Sequence, residues 1–154
     1  MKAKYLLPLI IALPIILVLA AGPKTNPKVE NNVAWDSTQT QELFARACAD
    51  CHSNETKWPW YANVAPVSWK IIHSVDEGRS KMNVSTGRTG ELDDLVKLIN
   101  RDEMPPRDYV WLHARAKLSP TEKQELIDGL GNTFGVSLEN EINNRRSEDD
   151  DDDD

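Results

Sequence analysis

The chain has 154 residues and a net charge of −7, and 40% of its residues are hydrophobic. Setting aside an apolar N-terminal segment and polar ends leaves about 100 residues, which is the size of one small domain. The last seven residues, from Glu148 to Asp154, are all acidic and account for the whole net charge. The rest of the chain therefore has equal numbers of acidic and basic residues. This balance leaves no basic surplus for nucleic acid, and no nucleic-acid partner is expected.

Residues 1–23 are predicted to be a membrane anchor or an export signal. No charged residue occurs from Tyr5 to Pro23, and Lys2 and Lys4 precede this run, as expected for a cytoplasmic N-terminus. The 19 uncharged residues approach the roughly 20 of a membrane-spanning helix and exceed the roughly 7–15 of a signal peptide's apolar region. Because a strict A-x-A cleavage site is missing, we expect an uncleaved anchor, with a cleaved signal as the alternative. Either one exports the remainder of the chain.

Downstream of this segment the sequence predicts a linker, one helical domain and a disordered tail. Residues 24–34 form the linker, because they are polar and contain a proline and three asparagines. Apolar residues in 35–134 recur at helical spacing without sustained strand alternation, which predicts an all-α domain. The predicted helices run from Asp36 or Ser37 to about Asp50, from Pro66 to Gly78, from Gly90 to Arg101 and from Pro120 through Leu130. The last is the clearest, because Ser119 and Glu122 form a capping box. The acidic residues at 135–154 predict a disordered tail.

Cys48-Ala49-Asp50-Cys51-His52, at the end of the first predicted helix, carries the strongest chemical signal in the sequence. On a helical turn, residues three and four apart share one face, so both thiols can reach one edge of a planar group. A C-x-x-C-H pentad is the attachment signature of c-type haem, in which the cysteines form thioethers and the histidine binds the iron. A structural zinc site needs four Cys or His ligands, and a thioredoxin-like pair lies in a βαβ unit; the sequence predicts neither. A disulfide here would close too small a loop to stabilise much.

Other residues are candidates for contacts with the porphyrin. The aromatic candidates are Trp58, Trp60, Tyr61, Trp69 and Trp111, each of which could equally be an ordinary core or surface residue. The cluster Trp58-Pro59-Trp60-Tyr61 is the most specific, because it is rigidified by proline and lies within ten residues of His52. Arg79 and Lys81 are candidates for pairing with the haem propionates, with solvated surface charge as the alternative.

Met104 is the candidate for the second axial ligand. It precedes two prolines, which keep it out of helical geometry and in an extended strap that can present its thioether to the iron. The alternative for any methionine is that it fills a gap in the core. Three other residues compete: His73 in the second predicted helix, Met82 in a polar stretch and His113 in a predicted loop. His73 would give a bis-histidine haem, or else bind a propionate or be a buried histidine.

Together these residues resemble the bacterial haem-binding domain family of small c-type cytochrome-like proteins. The matching residues are Cys48 to Thr56, Trp58-Pro59-Trp60-Tyr61, Ala65-Pro66-Val67-Ser68-Trp69, His73, Glu77-Gly78-Arg79, Glu103-Met104-Pro105-Pro106, Leu112-His113 and Leu118-Ser119. The resemblance spans about Trp35 to Leu130. It implies a small cytochrome c-like domain that is exported and holds covalent haem c, commonly behind one N-terminal membrane segment. A Met-Pro pair after the third helix is the distal ligand in many small c-type cytochromes, which also points to Met104. Asp102 stands where the family often has glycine.

The resulting hypothesis is an electron carrier rather than an enzyme, with His52 and Met104 in the two axial positions. The chain would sit at the bacterial inner membrane with its haem domain in the periplasm, or be a cleaved periplasmic form. Redox proteins in or at the membrane are the expected partners, and the acidic tail could steer a basic one. One alternative is an open or bis-histidine site that binds a small gas or reduces peroxide, with His73 or Glu103 as the acid–base group. A weaker alternative is an accessory domain of larger membrane oxidases.

Overall fold

The computed structural model describes residues 6–90 and 92–135. Within those ranges the chain forms seven α-helices and no β-sheet, which confirms the predicted all-α class. The helices are α1 (Leu6–Leu19), α2 (Thr38–Ala47), α3 (Ala49–His52), α4 (Val67–Lys81), α5 (Leu92–Asn100), α6 (Arg107–Leu112) and α7 (Pro120–Phe134). One isolated bridge joins Asn83 and Arg88 after α4. The predicted acidic tail, apart from its first residue, lies outside the described residues.

Two helices begin at the caps that the sequence predicts. Ser37 precedes α2, and its hydroxyl accepts a hydrogen bond from the Thr40 backbone N–H at 3.1 Å. Ser119 precedes α7, and its hydroxyl accepts from the Glu122 N–H at 3.2 Å while the Glu122 carboxylate accepts from the Ser119 N–H at 2.7 Å. Both caps satisfy backbone donors that the helix itself leaves unpaired. The predicted capping box is therefore confirmed.

Three details of the predicted helices are wrong. The first helix ends at Ala47, because Cys48 leaves helical geometry with a φ of −124°, and the haem motif forms its own short helix α3. Gly78 does not end α4, which continues to Lys81. The third correction is α6, which occupies a segment expected to be a loop. Its six residues are too few to show the helical periodicity on which the prediction depends.

The hydrophobic core lies where α2, α5 and α7 meet. Its central side chains are at most 4% exposed: Leu43, Phe44, Val96, Ile99, Leu126, Ile127 and Leu130. Burying each of these side chains contributes about 1.5–3 kcal/mol, so this three-helix contact dominates the stability of the fold. The core holds α2 in place immediately before Cys48, and its edge at Ile99 and Leu126 continues into the wall of a cavity.

α1 is an apolar helix whose C-terminal end is bound to the rest of the fold. The Leu17 carbonyl accepts a hydrogen bond from the Ala65 N–H at 3.1 Å, and the Ala20 carbonyl accepts one from the Trp69 indole N–H at 2.6 Å. Ala21 is only 5% exposed. α1 has 14 residues, and no helix in the described ranges combines the length and apolar character needed to cross a membrane.

The segment predicted to be a linker, residues 24–34, contains no helix or strand but is hydrogen-bonded to the domain. The Asn26 side-chain amide donates to the Thr56 carbonyl at 2.9 Å. The backbone N–H of Asn31 donates to the Ser85 carbonyl, also at 2.9 Å. These contacts tie the segment to the loops that follow α3 and α4.

Candidate functional site

A cavity of about 660 Å³ lies between α3, α4, α5 and the segment that leads into α6. Its volume falls within the range of about 300–1,000 Å³ that is typical of cofactor sites. Its apolar wall is formed by Ala47, Leu95, Leu98, Ile99, Leu118 and Leu126. Its charged lining residues are Asp50, Glu77, Lys81 and Asp94. An apolar pocket with a few charged groups suits a planar hydrophobic molecule that carries ionised substituents.

The structure brings all four predicted site residues, Cys48, Cys51, His52 and Met104, to this one cavity. Cys48 is the junction between α2 and α3, and its carbonyl accepts the backbone N–H groups of both Cys51 and His52, at 3.1 and 2.9 Å. This single helical turn fixes the spacing of the motif. Met104 comes from a different part of the chain, between α5 and α6, and packs against the core.

The two thiols are unpaired and hardly ionised. Cys48 and Cys51 form no disulfide. Burial raises the pKa of Cys48 to about 12, and burial together with the nearby Asp50 carboxylate raises the pKa of Cys51 to about 11. Redox-active C-x-x-C pairs have thiol pKa values lowered to about 3.5–7.5, so these cysteines lack the character of a thioredoxin-like pair.

His52 is held with one ring nitrogen toward the backbone. Its Nδ1 lies 3.2 Å from the Met82 carbonyl oxygen. A carbonyl can only accept, so Nδ1 carries the proton and Nε2 keeps a lone pair. Burial lowers the pKa of His52, which favours this neutral form. This backbone carbonyl fixes the ring in the way that histidines bound to metals are usually fixed.

Gly78 allows α4 to pack directly on the motif. A Cβ atom at this position would lie 2.7 Å from the Cys51 carbonyl oxygen and 3.0 Å from the Cys51 Cβ. Such distances are shorter than normal contacts, and the first involves backbone, which cannot rotate away. Gly78 is therefore required by the close approach of α4 to α3 rather than by a helix end.

The strap, residues 101–106, carries Met104 and is fixed by the last turn of α5. The N–H groups of Glu103 and Met104 both donate to the Leu98 carbonyl, at 2.9 and 3.1 Å. Asp102 begins the turn with a φ of +59°, in the left-handed region that favours glycine. This conformation explains physically why glycine suits the position. Lys123 of α7 pairs with the Asp102 carboxylate at 2.5 Å.

The family model of the haem-binding domain matches residues 11–132. The chain belongs to the haem-binding domain family. Comparison with curated proteins and with solved structures gave no match. The match covers most of the chain and includes all four predicted site residues.

The cavity fits the group that this haem-binding domain is named for. Two unpaired thiols three residues apart can attach to two vinyl groups, and His52 offers a nitrogen lone pair. The thioether of Met104 is a soft donor suited to iron. The aliphatic wall could pack on a porphyrin, and Lys81 could pair with a propionate. Arg79 is not among the lining residues.

Arg79 instead joins the motif to the N-terminal segment. Its Nε donates to the Ser53 carbonyl at 2.9 Å, and its Nη1 donates to the Thr25 carbonyl at 2.9 Å. Its Nη2 donates to the Thr56 hydroxyl at 2.8 Å and to the Asn26 side-chain oxygen at 3.2 Å. The structure therefore gives Arg79 a positioning role on the loop after His52, in place of the expected propionate contact.

The three residues that compete with Met104 differ in whether their side chains line the cavity. The His73 side chain is 79% exposed, beside Glu77, and does not line the cavity. The His113 ring donates from Nδ1 to the Tyr109 carbonyl at 3.0 Å and accepts at Nε2 from the Tyr61 hydroxyl at 3.2 Å. Met82, the third competitor, is buried and lines the cavity. Met104 and Met82 thus reach the site, but His73 and His113 do not.

The aromatic residues singled out in the sequence do not line the cavity, and one that was not singled out does. Trp60, Trp69 and Trp111 are 79%, 55% and 83% exposed. Tyr109 of α6 lines the cavity, and its hydroxyl donates to the Asp50 carboxylate, inside the motif, at 2.7 Å. The sequence feature that could have indicated Tyr109 is the pair of prolines before α6. Proline is favoured at the start of a helix, and a helix that starts here has Tyr109 in its first turn.

Proposed function

We propose that this protein holds a covalent haem c and carries electrons. Cys48 and Cys51 form the two thioethers, and His52 and Met104 are the axial ligands. The observation that supports this proposal is the convergence of two unpaired thiols, a neutral imidazole and a thioether on one largely apolar cavity.

When bound, the haem iron supplies a one-electron couple between Fe(II) and Fe(III). The protein's own groups set the properties of that couple. The hydrogen bond from His52 to the Met82 carbonyl orients the ring and makes its free nitrogen a better donor. Methionine as the second ligand raises the reduction potential. With both axial positions filled, the protein makes and breaks no bonds in its substrate, so it acts as a carrier and not as an enzyme.

We infer that the chain is exported and retained at the periplasmic side of a bacterial inner membrane. The uncharged run that contains α1, preceded by Lys2 and Lys4, supports this location. Leu13, Ile15 and Ile16 of α1 are each more than half exposed, which is unfavourable in water and favourable in lipid. Redox proteins in or at the same membrane are the proposed partners.

The alternative function, small-gas binding or peroxide reduction at an open distal site, has less support. Peroxide chemistry needs an acid–base group beside the iron. His73 and Glu103, the two groups predicted for this role, do not line the cavity, whereas the thioether of Met104 does and can fill the distal position. An accessory domain of a larger oxidase would use the same haem. Purifying the chain from its host membrane distinguishes the two functions: an accessory domain should copurify with oxidase subunits, and a free electron carrier should not.

An optical spectrum tests the proposal. The full chain is produced in a host that attaches haem c and is measured oxidised and reduced. We expect low-spin spectra, a weak far-red band in the oxidised form that marks an iron–methionine bond, and little binding of CO after reduction. A high-spin spectrum with rapid CO binding would instead indicate an open site.

Covalent attachment has a separate test. Haem staining after denaturing electrophoresis should be reduced by Cys48→Ala and by Cys51→Ala and be absent in the double variant. Ser53→Ala, adjacent to the motif, is the matched control and should keep the full stain. Equal staining of all four variants would show that the cysteines do not hold the haem.

A further inference from the structure

Three tryptophans project from one end of the domain. Trp60, Trp69 and Trp111 are 79%, 55% and 83% exposed, and Val67 and Leu112 beside them are 46% and 51% exposed. We call these five residues the tryptophan face. Exposed single apolar residues are common on proteins, but three largely exposed indoles among five tryptophans are not explained by the core or by the cavity.

Contacts among their elements bring these residues to the same end. Trp60 packs edge-on against Tyr61, with ring centroids 5.7 Å apart. The Tyr61 hydroxyl hydrogen-bonds to His113, which directly follows the α6 residues Trp111 and Leu112. A side-chain ion pair between Lys70 and Asp108 joins the start of α4, where Val67 and Trp69 lie, to α6.

The same end of the domain receives α1. The Trp69 indole N–H donates to the Ala20 carbonyl at 2.6 Å, and the Ala65 N–H donates to the Leu17 carbonyl at 3.1 Å. Gly22 approaches Ile72, whose Cδ1 would be 3.3 Å from a Cβ at that position. The exit of α1 is therefore bound to α4 at several points, which limits how freely the domain can rotate about it.

The side chains of α1 itself require an apolar environment. Leu13, Ile15, Ile16 and Val18 are 52–58% exposed, and Leu19, at the end of the helix, is 81% exposed. Lipid around this helix would necessarily bring the polar headgroup layer to its C-terminal end. That is the position of the tryptophan face, and tryptophan is enriched in this layer because its ring is apolar and its N–H is polar.

We propose that the tryptophan face rests in the headgroup region of the bilayer that holds α1. The domain is then docked on the membrane in one orientation rather than tethered above it. α4 rises about 1.5 Å per residue, so its cavity-lining residues Ser74 to Lys81 lie about 8–18 Å along the helix from Trp69. Docking would keep the haem close to partners embedded in the same membrane. This inference rests on the membrane location in the proposed function.

Fluorine NMR can test the docking. The full-length haem-loaded protein is labelled with 5-fluorotryptophan, which gives five signals, and each is assigned by one Trp→Phe substitution. It is reduced and placed in nanodiscs of phosphatidylethanolamine and phosphatidylglycerol, with or without a lipid that carries a nitroxide near its headgroup. Trp60, Trp69 and Trp111 should lose most of their signal intensity to the nitroxide. Trp35, whose ring packs 5.0 Å from that of Phe44, is the internal control and should keep its intensity.

The outcomes separate docking from anchoring. If the protein stays with the nanodiscs but Trp60 and Trp111 lose no more intensity than Trp35, the docking is wrong and the anchor stands. If the protein leaves the nanodiscs, both the docking and the proposed anchor are wrong. If the Trp60 and Trp111 signals keep their intensity beside the nitroxide but shift with protein concentration, a second copy of the chain covers the tryptophan face and the docking is wrong. Trp60→Ser with Trp111→Ser should weaken the effect on Trp69, whereas Trp58→Ser should leave it unchanged.

Discussion

The two walls that supply the proposed iron ligands are built differently. The first wall, which we call the motif wall, consists of Cys48 to His52. It is packed against α4 through Gly78 and is tied to its neighbours by Arg79 and by the hydrogen bond to Met82. The strap is held by backbone bonds to Leu98 and by an exposed ion pair. Close packing resists displacement, whereas surface ion pairs contribute little. The fold therefore fixes His52, the proposed proximal ligand, firmly and leaves Met104, the proposed distal ligand, more open to adjustment.

The largest effect is expected from Gly78→Val on the motif wall. Its side chain would collide with the Cys51 backbone and force α4 away from α3. Overpacking of this kind destabilises by about 1–3 kcal/mol, and the upper end applies because the contact is with backbone. Urea unfolding and haem content measure the loss. The control is Asp76→Val on the same helix, where the residue is exposed. Equal losses in the two variants would show that α4 is not packed tightly on the motif.

The next largest effect is expected from Met104→Ala on the strap. Without the thioether the far-red band should disappear, the reduced iron should bind CO readily and the potential should fall. Because Met104 is only partly buried, the loss of stability should be about 2 kcal/mol, the low end for methionine truncation.

Met82→Leu is the comparison variant for Met104→Ala. Met82 also lines the cavity, but its contribution to the site is a backbone carbonyl that leucine retains. We expect it to keep the far-red band. If Met82→Leu removes the band and Met104→Ala retains it, the two methionines exchange roles and the strap is only a structural segment.

A smaller effect, with a sign that depends on salt, is expected from Asp102→Gly. Glycine removes the strain of a side chain at a φ of +59° but also removes the ion pair with Lys123. Salt screens the ion pair and leaves the backbone conformation unchanged. The glycine variant should therefore gain in Tm relative to the parent as salt is raised. Asp102→Asn removes the charge and keeps a side chain, so it should match the parent at high salt and not exceed it.

The smallest effect is expected from Glu122→Gln, which acts through α2 on the motif wall. Hydrogen bonds from Ser119 and Arg46 lower the pKa of Glu122 to about 2. A folded pKa below the unfolded value of about 4.3 means that the carboxylate stabilises the fold above that pH. The stabilisation is lost as pH falls through the folded value. The glutamine variant should be slightly less stable at pH 7, and thermal unfolding should show the difference shrinking from about pH 4 to pH 2.

Glu125→Gln is the matched control for Glu122→Gln. Glu125 lies on the same helix, and its carboxylate accepts a hydrogen bond from the Gln39 side chain at 3.1 Å, outside the capping box. It should change thermal stability less at pH 7. A pH dependence of equal size in both variants would mean that the capping box and Arg46 do not lower the pKa of Glu122.

Features encoded by a few adjacent residues could be predicted from the sequence. The capping box at Ser119 and the C-x-x-C-H turn need only residues within one helical turn. The role of Gly78 depends on Cys51, far away in the chain, and no local pattern contains that contact. Met82 lies in a polar stretch, so nothing in the sequence indicates that its side chain is buried. However, Asn83 donates to the side-chain oxygen of Asn54 at 2.8 Å, and this buried pair folds the stretch back onto the motif loop.

The aromatic cluster shows why closeness in sequence is a poor guide to contact with a ligand. Trp60 lies only eight residues after His52, yet it is 79% exposed. The loop at residues 53–59 leads the chain away from the cavity, and Arg79, which does not line the cavity, is hydrogen-bonded to Ser53 and Thr56 of that loop. The aromatic residue that does reach the cavity, Tyr109, comes from the short helix that periodicity could not detect.

The first turn of α7 has a consequence for engineering. Glu122 pairs with Arg46 of α2, the helix that precedes the motif, at 2.6 Å, and its neighbour Lys123 pairs with Asp102 of the strap. Two consecutive residues on one turn of α7 therefore contact both the helix that leads into the motif and the strap that carries Met104. Lengthening or shortening these side chains offers a way to shift the strap relative to the motif without replacing His52 or Met104. Under the proposed ligation, such variants would adjust the potential of the haem from a helix cap on the outside of the domain.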